Sequence, residues 1–238
     1  CSSDLLSFLV GDVLDPTKLL ALNVLEQTLL VASAAPLRKA LVDAHIGKDV
    51  DSSFDEDYLQ PAFGIIINGS EAARAEEFYR LTMSTLKDLA ENGIDRSLLQ
   101  ASINSFEFGL READFGSYPK GLAVGLNALD SWLYDGDAPF LHLDGLRVLQ
   151  ELKADLDSGY FEQLIRDYLL DNDHASVVIV EPKKGLTQER DESLRKKLSD
   201  YKETLSEKEK EVSYITDGQK VPSKIEKATV CRFLISGM

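Results

Sequence analysis

The chain has 238 residues, of which 44% are apolar and 28% are charged, and its 41 acidic and 26 basic residues give a net charge of −15. The apolar content predicts a globular core and excludes an intrinsically disordered chain, while the negative charge disfavours binding to nucleic acid or to an anionic membrane surface. Only two cysteines are present, Cys1 and Cys231, which excludes a disulfide-stapled scaffold and favours a reducing intracellular compartment, either the cytoplasm or an organelle matrix.

Strand and helix signals alternate through the first part of the chain. The apolar run at residues 5–10 predicts a buried strand. Asp15 followed by Pro16 predicts the capped start of an apolar helix, and a second helix is expected from Pro36 to Gly47. We find no apolar run that approaches the ~20 residues of a membrane-spanning helix.

A hairpin and two long helices are predicted next. The run at residues 63–68 predicts a second buried strand, and a strand at 50–54 would complete a hairpin with it. Asn68-Gly69 is typical of a turn, so Ser70 is expected to cap the helix that follows. That helix should end at Gly93, and Asp95 should cap the next one.

The remaining elements complete the predicted fold class. Three further helices are expected at residues 118–133, 146–156 and 160–170, and a third clear strand is expected at 175–180. We therefore predict an α+β domain in which helices pack on one face of a mainly antiparallel sheet.

A charged segment after residue 187 predicts a different kind of element. Apolar residues recur there at the a and d spacing of a coiled coil, with Lys208 at one apolar position; they are Leu194, Leu198, Tyr201, Leu205 and Val212. We predict three parts: the α+β domain at 1–185, a helical linker arm (the first helix of a hairpin) at 186–212, and a tail of uncertain structure at 213–238. The lack of an initiator Met favours an excised or processed piece of a longer protein.

The sequence spells out no catalytic motif. The three histidines, His45, His142 and His174, lie in neither a His-Glu-x-x-His nor a His-x-x-Glu-His arrangement. His142 and Asp144 form at most a weak ligand pair, and an exposed loop histidine is the better interpretation. The acidic residues between 49 and 57 lack the spacing of a calcium loop, so a solvated loop is preferred to a cation site.

Residues 106–137 contain a glycine and proline break and the single tryptophan. Glu107 and Arg111 are four residues apart, which is the spacing of a helix ion pair. Trp132 and Tyr134 are expected to pack the corner that follows. The residues alone predict a helix–loop–helix corner around a buried cation, without a complete catalytic constellation.

The same region resembles a known family. The motifs that carry the resemblance are FEFGLRE at 106–112, GSYPKGL at 116–122 and WLYDGD at 132–137. Segments 29–41, 95–101 and 187–212 agree with it in the same order. Over residues 4–212 the chain resembles the second domain of insulinase-type zinc metallopeptidases, of the presequence-protease or falcilysin type, although the tail after Val212 departs from the family pattern.

This resemblance implies a role without catalytic residues. In such peptidases the first domain carries an inverted His-x-x-Glu-His zinc site whose Glu activates a zinc-bound water. The second domain repeats the fold without the ligands and helps to close a chamber around unfolded peptides. The resemblance therefore implies no cofactor in this chain, zinc in the parent enzyme, and two partners, which are the catalytic N-terminal half and unfolded peptide substrates.

We therefore interpret the chain as a non-catalytic, chamber-forming domain of a zinc-dependent, oligopeptide-degrading metalloendopeptidase, inactive by itself. A non-enzymatic scaffold or assembly subunit that kept the fold is the main alternative, and an independent acidic binding module is another. The family-motif residues, predicted to be structural or to form the chamber wall, are Arg111, Glu112, Tyr118, Pro119, Lys120, Trp132, Tyr134, Asp135 and Asp137.

Overall fold

The computed structural model describes residues 2–113 and 115–205, and the chain divides into two compact units, Cys1–Pro182 and Lys183–Met238. The strands of the first unit are β1 (Ser2–Leu9), β2 (Asp49–Asp55), β3 (Ala62–Ser70) and β4 (Ala175–Val180). Its helices are α1 (Pro16–Glu26), α2 (Pro36–Asp43), α3 (Ala75–Asn92), α4 (Arg96–Glu112), α5 (Lys120–Trp132), α6 (Gly145–Ala154) and α7 (Tyr160–Ile165). The second unit contains α8 (Leu186–Thr204).

The four strands form one antiparallel sheet in the order β2-β3-β1-β4. The predicted hairpin is confirmed, because β2 pairs with β3, and the rings of Phe54 and Phe63 meet edge to face with their centroids 6.2 Å apart. Along β1, burial alternates between the two faces, with Leu6 and Phe8 fully inside the core. The predicted α+β class, with helices packed against one face of the sheet, is confirmed.

The predicted turn at Asn68-Gly69 is wrong, because both residues lie inside β3. Gly69 has a φ of +71° at the point where the β1–β3 register shifts between Ser2 and Ser3. The glycine therefore serves as the extra residue of a bulge, where a positive φ is needed. Ser70 does not cap a helix either, since its hydroxyl donates to Ile46 O at 2.8 Å.

The two predicted aspartate caps are confirmed. Asp15 Oδ1 accepts a hydrogen bond from the backbone N–H of Lys18 at 3.0 Å, directly before Pro16 at the first position of α1. Asp95 Oδ1 accepts one from Ser97 N at 2.8 Å at the start of α4. Each carboxylate satisfies a backbone donor that the helix itself leaves unpaired.

The sequence analysis found no candidate membrane span, but the helical segment Pro16–Asp43 meets the length and hydropathy criteria of one. Half of its most apolar window is buried inside the domain, and Leu25 and Leu29 have no exposed surface. A turn at residues 32–35 separates it into two helical parts. The apolarity of this segment is therefore accounted for by the domain core.

Strand β4 lies at the edge of the sheet and is exposed along its whole length. Its sequence, ASVVIV, contains no charge and no proline. Val177 and Ile179 are register partners of residues in β1 that face the core, yet both remain exposed. The helical layer therefore does not cover this edge of the sheet.

Two buried threonines differ in their hydrogen bonding and predict opposite effects of the same substitution. Thr28 Oγ1 is hydrogen-bonded to Val24 O at 2.7 Å and to Ser102 Oγ at 2.9 Å, whereas Thr82 Oγ1 has no partner among the described residues. We expect Thr28→Val to lower the free energy of unfolding by about 1–2 kcal/mol, because it leaves a buried serine hydroxyl with one partner fewer. Thr82→Val should leave it unchanged or raise it by up to about 1 kcal/mol. Urea unfolding of both variants measures the difference, and equal losses would contradict it.

In the second unit, α8 confirms the predicted helix in part. The seam residues Leu194, Leu198 and Tyr201 are all exposed. Lys208 and Val212, and the tail at 213–238, lie outside the described residues. The coiled-coil pairing and the three-part division of the chain remain predictions.

Candidate interaction surface

Helix α5 presents an apolar stripe to solvent. Its leucines recur at steps of four, three and four, so they line one side of the helix. These residues, here called the α5 stripe, are Leu122, Leu126, Leu129 and Leu133, and all four are exposed. Ser131, about half a turn away around the helix, is its one buried residue. The stripe therefore points away from the domain.

Hydrogen bonds fix the corner that follows α5. The buried hydroxyl of Ser131 donates to Ala138 O at 2.6 Å. Asp135 Oδ1 accepts from the backbone N–H of Asp137 at 2.9 Å, which forms a tight turn. The hydroxyl of Tyr134 donates to Asp57 O at 3.1 Å, and this bond ties the corner to the loop between β2 and β3. The orientation of the stripe is thus held by polar contacts on the opposite side of the helix.

Other large apolar side chains around α5 are also exposed. They lie at the end of α4, before α5 and after the corner, and are Phe108, Leu110, Tyr118, Trp132, Phe140 and Leu143. They are close to α5 in sequence, and exposed apolar groups that adjoin one another mark an interaction site more often than isolated ones do. We call this set together with the α5 stripe the apolar α5 surface.

The predicted ion pair in this region is confirmed, but the predicted buried cation is wrong. Arg111 Nη2 lies 2.6 Å from Glu107 Oε1, yet more than half of the Arg111 side chain is exposed. Glu107 also pairs with Lys153 of α6, and both cations hold the pKa of its carboxyl below the usual value. Glu107, for which the sequence analysis predicted only the pair with Arg111, therefore joins two helices.

Most other motif residues lie at the two ends of α5 and are exposed. Pro119 precedes the first turn and Lys120 opens it, while Glu112 ends α4. Trp132 is 54% exposed, so the expectation that it packs the corner is wrong. The corner is closed instead by Ser131, which the sequence analysis passed over because a serine in an apolar helix carries no distinctive signal.

Five carboxylates follow one another as neighbours from α1 to α5. They come from α1, from the end of β2 and the loop after it, and from α5 itself, and are Glu26, Asp55, Glu56, Asp57 and Asp130, here called the acid cluster. None of them forms an ion pair with a basic side chain in residues 2–113 and 115–205. The preferred interpretation of the acidic segment as a solvated loop is therefore incomplete, because part of it packs against two helices.

Burial and mutual repulsion shape the titration of the acid cluster. Burial raises the pKa of Glu56, and the charges of Asp130, Asp57 and Glu26 raise it further, against a lowering effect of the Asn23 amide that donates to it at 2.5 Å. Burial likewise raises the pKa of Asp130. Ionising Glu56 or Asp130 therefore costs more free energy in the folded domain than in the unfolded chain.

His142 is half-buried rather than exposed as expected, and burial lowers the pKa of its imidazole. Its Nε2 is buried without a hydrogen-bond partner among the described residues. Asp130 opposes the shift by favouring the charged imidazole. His142 therefore lies beside Asp130, at the edge of the acid cluster.

We expect Glu56→Gln to stabilise the domain at neutral pH. Folding raises the pKa of the Glu56 carboxyl. The contribution of Glu56 to the free energy of unfolding is therefore most favourable below the ordinary carboxyl pKa, and it is lost as pH rises through the raised value of the folded state. The variant should gain about 0.5–1 kcal/mol at neutral pH, the scale of unfavourable contacts between partly exposed charges, and nothing in acid. Urea unfolding at several pH values tests this, with the exposed Glu181→Gln as control; a gain that persists in acid would contradict it.

Neither a histidine nor a cysteine lines the larger of two surface depressions in the described part of the chain. The larger of the two best-formed depressions, about 370 Å³, is lined by Ala34, Pro36, Leu89, Asp95, Ser97, Leu98 and Ala101. Its one carboxylate, Asp95, is already engaged as the cap of α4. Within residues 2–113 and 115–205, no group of three or more His, Cys, Asp or Glu side chains is placed to hold a metal ion.

Comparisons with known proteins identify a matching family model and several relatives of the chain. Residues 5–106 match the family described as the Peptidase M16 inactive domain. The chain is 48% identical over 203 residues to protein HypA of Clostridium perfringens, covering 85% of this chain and 21% of that protein. It is 36% identical over 173 residues to presequence protease 1, chloroplastic/mitochondrial, of Arabidopsis thaliana, covering 71% and 16%. The chain thus spans only between a sixth and a fifth of the length of these relatives.

Solved structures share the fold. The inactive peptidase domain of a Bordetella parapertussis protein superposes with a TM-score of 0.62 at 12% identity, covering 76% of this chain and 91% of that one. The peptidase M16 inactive domain of Pseudomonas fluorescens superposes with a TM-score of 0.54 at 17% identity, covering 76% and 40%. At these identities the likeness concerns the fold alone.

Proposed function

Because the chain belongs to the insulinase-type (M16) zinc metallopeptidase family as its non-catalytic second domain, we propose that it forms one wall of a closed chamber that degrades oligopeptides. In this proposal the catalytic half of the same protein supplies the zinc site and the opposite wall. Unfolded peptides are the substrates, and the role of this domain is to enclose and position them.

The observation that carries the proposal is the outward orientation of the α5 stripe. A domain gains nothing by itself from leucines turned partly to water, since each one forgoes part of a burial that is worth roughly 1.5–3 kcal/mol when complete. Leu126 and Leu133 remain exposed while polar Ser131 is buried. Such a helix favours a second surface that covers it, and the catalytic half is the partner that the family relationship supplies.

The residues present do not fit a zinc site. Zinc in proteins is held by three or four His, Cys, Asp or Glu ligands that converge on one point. His45 follows α2, His142 lies in a short helical turn before α6, and His174 precedes β4, and the described residues bring no such set together. In the proposal, the zinc and the general base therefore belong to the catalytic half.

Reconstitution tests the proposal. The 238-residue chain and the catalytic half of the parent protein are produced separately and assayed, alone and mixed, with an unstructured peptide. We expect no hydrolysis by the chain alone. We expect the mixture to exceed the catalytic half by at least about 10-fold, because closure excludes water and holds the peptide in place. A zinc chelator should abolish this activity.

Each outcome decides between the alternatives. Zinc-dependent hydrolysis by the purified chain alone would overturn the non-catalytic role. A stable complex without any hydrolysis would favour the scaffold or assembly subunit. No complex at all would favour an independent acidic binding module.

A further inference from the structure

The sheet has an open edge at β4. This strand is the last in the order β2-β3-β1-β4, and among the described residues only β1 pairs with it. Leu9 of β1 donates its backbone N–H to His174 O at 3.1 Å, directly before β4. Because the two kinds of residue pair alternate along an antiparallel ladder, the backbone N–H and C=O groups of Ala175, Val177 and Ile179 point away from β1. They form the open edge of the ladder.

Strand β4 lacks the features by which edge strands avoid association. Such strands are usually protected by charged side chains, by proline or by a bulge. The other edge strand, β2, follows this rule, because its sequence DVDSSFD carries three aspartates. The sequence of β4, ASVVIV, has neither a charge nor a proline, and its register with β1 has no shift. An added strand would gain backbone hydrogen bonds and apolar contacts together.

The charges at the two ends of β4 have opposite signs. Asp171 and Asp173 precede the strand, Lys183 and Lys184 follow it, and all four are exposed. Lys183 pairs with Glu189 at the surface, and such an exposed pair contributes little that an exchange of partners would lose. Antiparallel pairing places the beginning of one strand beside the end of the other. A second copy of β4 therefore brings the aspartates of each chain to the lysines of the other.

Backbone direction and charge select one register for such a pair. Outward-pointing residues must oppose outward-pointing residues, so the two-fold axis of the longest overlaps lies either at Val177 or at Val178. An axis at Val177 sets Asp173 of one copy opposite Glu181 of the other, and directly opposed like charges destabilise a sheet. An axis at Val178 sets Asp173 opposite Lys183 in the continuation of the ladder. The second register is therefore favoured.

We infer that a second copy of this chain pairs with β4 in antiparallel fashion about a two-fold axis at Val178, which joins two four-stranded sheets into one continuous sheet. Val177 and Ile179 of opposite copies exchange backbone hydrogen bonds, and the two Val178 side chains meet at the axis. A contact between two short strands is smaller than a standard interface, so the dimer should dissociate at about 10–100 µM. The pairing uses β4 and does not depend on the proposed function.

Sedimentation of charge variants tests the inference. The full 238-residue chain is measured from about 1 to about 200 µM, a range that brackets the expected dissociation constant. We expect Val178→Lys and Val178→Glu each to weaken association at least about 10-fold, because each sets like charges directly opposite at the axis. A mixture of the two variants should restore association to within about 3-fold of wild type, because lysine then meets glutamate. Tyr79→Lys, at an exposed position on α3, should change it less than about 2-fold.

Amide hydrogen exchange supplies a second readout that a loss of fold would not reproduce. The amides of Ser176 and Val178 donate to β1 and should be protected at every concentration. The outward amides of Val177 and Ile179 should exchange rapidly in the dilute monomer and gain at least about 5-fold protection above the dissociation constant. In Val178→Lys this gain should disappear while the protection of Ser176 remains.

The outcomes decide the inference in either direction. Restored association in the mixture of Val178→Lys and Val178→Glu, with protection of the outward amides, supports the pairing and its register. A chain that stays monomeric over the whole concentration range overturns it. A dimer that Val178→Lys leaves intact overturns it as well, and a dimer that is lost in Leu126→Asp alone would assign the contact to the α5 stripe instead.

Discussion

Replacing Leu126 by aspartate is expected to weaken binding to the catalytic half by at least about 100-fold, because a carboxylate would be buried without a partner at the centre of the α5 stripe. The isolated domain should lose about 1–2 kcal/mol, from the lower helix propensity of aspartate and the loss of the covered half of the side chain, since Leu126 is 48% exposed. Titration calorimetry measures the affinity, and urea unfolding measures the stability.

A matched control is available on the same helix. Asn127→Asp adds the same charge one residue later, away from the stripe and at a position that is already polar and exposed. It should leave affinity within about 3-fold of wild type, because a rim charge contributes little. Trp132→Ala should weaken binding about 30-fold, as truncation of a tryptophan anchor does at other interfaces. Equal effects of Leu126→Asp and Asn127→Asp would show that the stripe is not the contact.

Replacing Phe78 by alanine is expected to lower the free energy of unfolding by about 3–5 kcal/mol, a large part of the stability of an ordinary domain. Phe78 lies on α3 with 0% of its surface exposed, in the main core. The loss combines the transfer energy of the ring with the cavity that rigid neighbours cannot fill.

Phe108→Ala provides the contrast, because Phe108 lies on α4 and is 67% exposed. Its unfolding free energy should stay within about 0.5 kcal/mol of wild type, while binding to the catalytic half should weaken. Two phenylalanines on long helices would thus separate the core from the interface. A loss of stability for Phe108→Ala comparable to that for Phe78→Ala would mean that α5 and its surroundings pack more tightly than described.

Strand β4, like α5, exposes apolar side chains that no other part of the described domain covers. Both are apolar and both lie at the border of the domain, away from the helical layer. An uncharged edge strand is a hazard for a protein that must remain monomeric. Its exposure in a chain that spans only between a sixth and a fifth of the length of its relatives fits a domain that borders other parts of a larger protein.

Local patterns in the sequence determined most of the secondary structure. The caps at Asp15 and Asp95, the hairpin of β2 and β3, and the ion pair of Glu107 with Arg111 all depend on residues close together in the chain. Such signals act through backbone hydrogen bonds and side-chain spacing over one or two turns. The family resemblance of residues 106–137 was readable for the same reason, because it consists of contiguous motifs.

Tertiary structure alone decided which apolar residues are covered and which charges meet. Hydrophobic periodicity reports that a residue favours burial, but not which surface covers it, so α1 and α5 look alike in sequence although one is core and the other exposed. The bulge at Gly69 depended on the register with β1, a partner 65 or more residues away. Glu26, Glu56 and Asp130 are far apart in the chain, and only the packing of α1, the β2–β3 loop and α5 brings their charges within reach of one another.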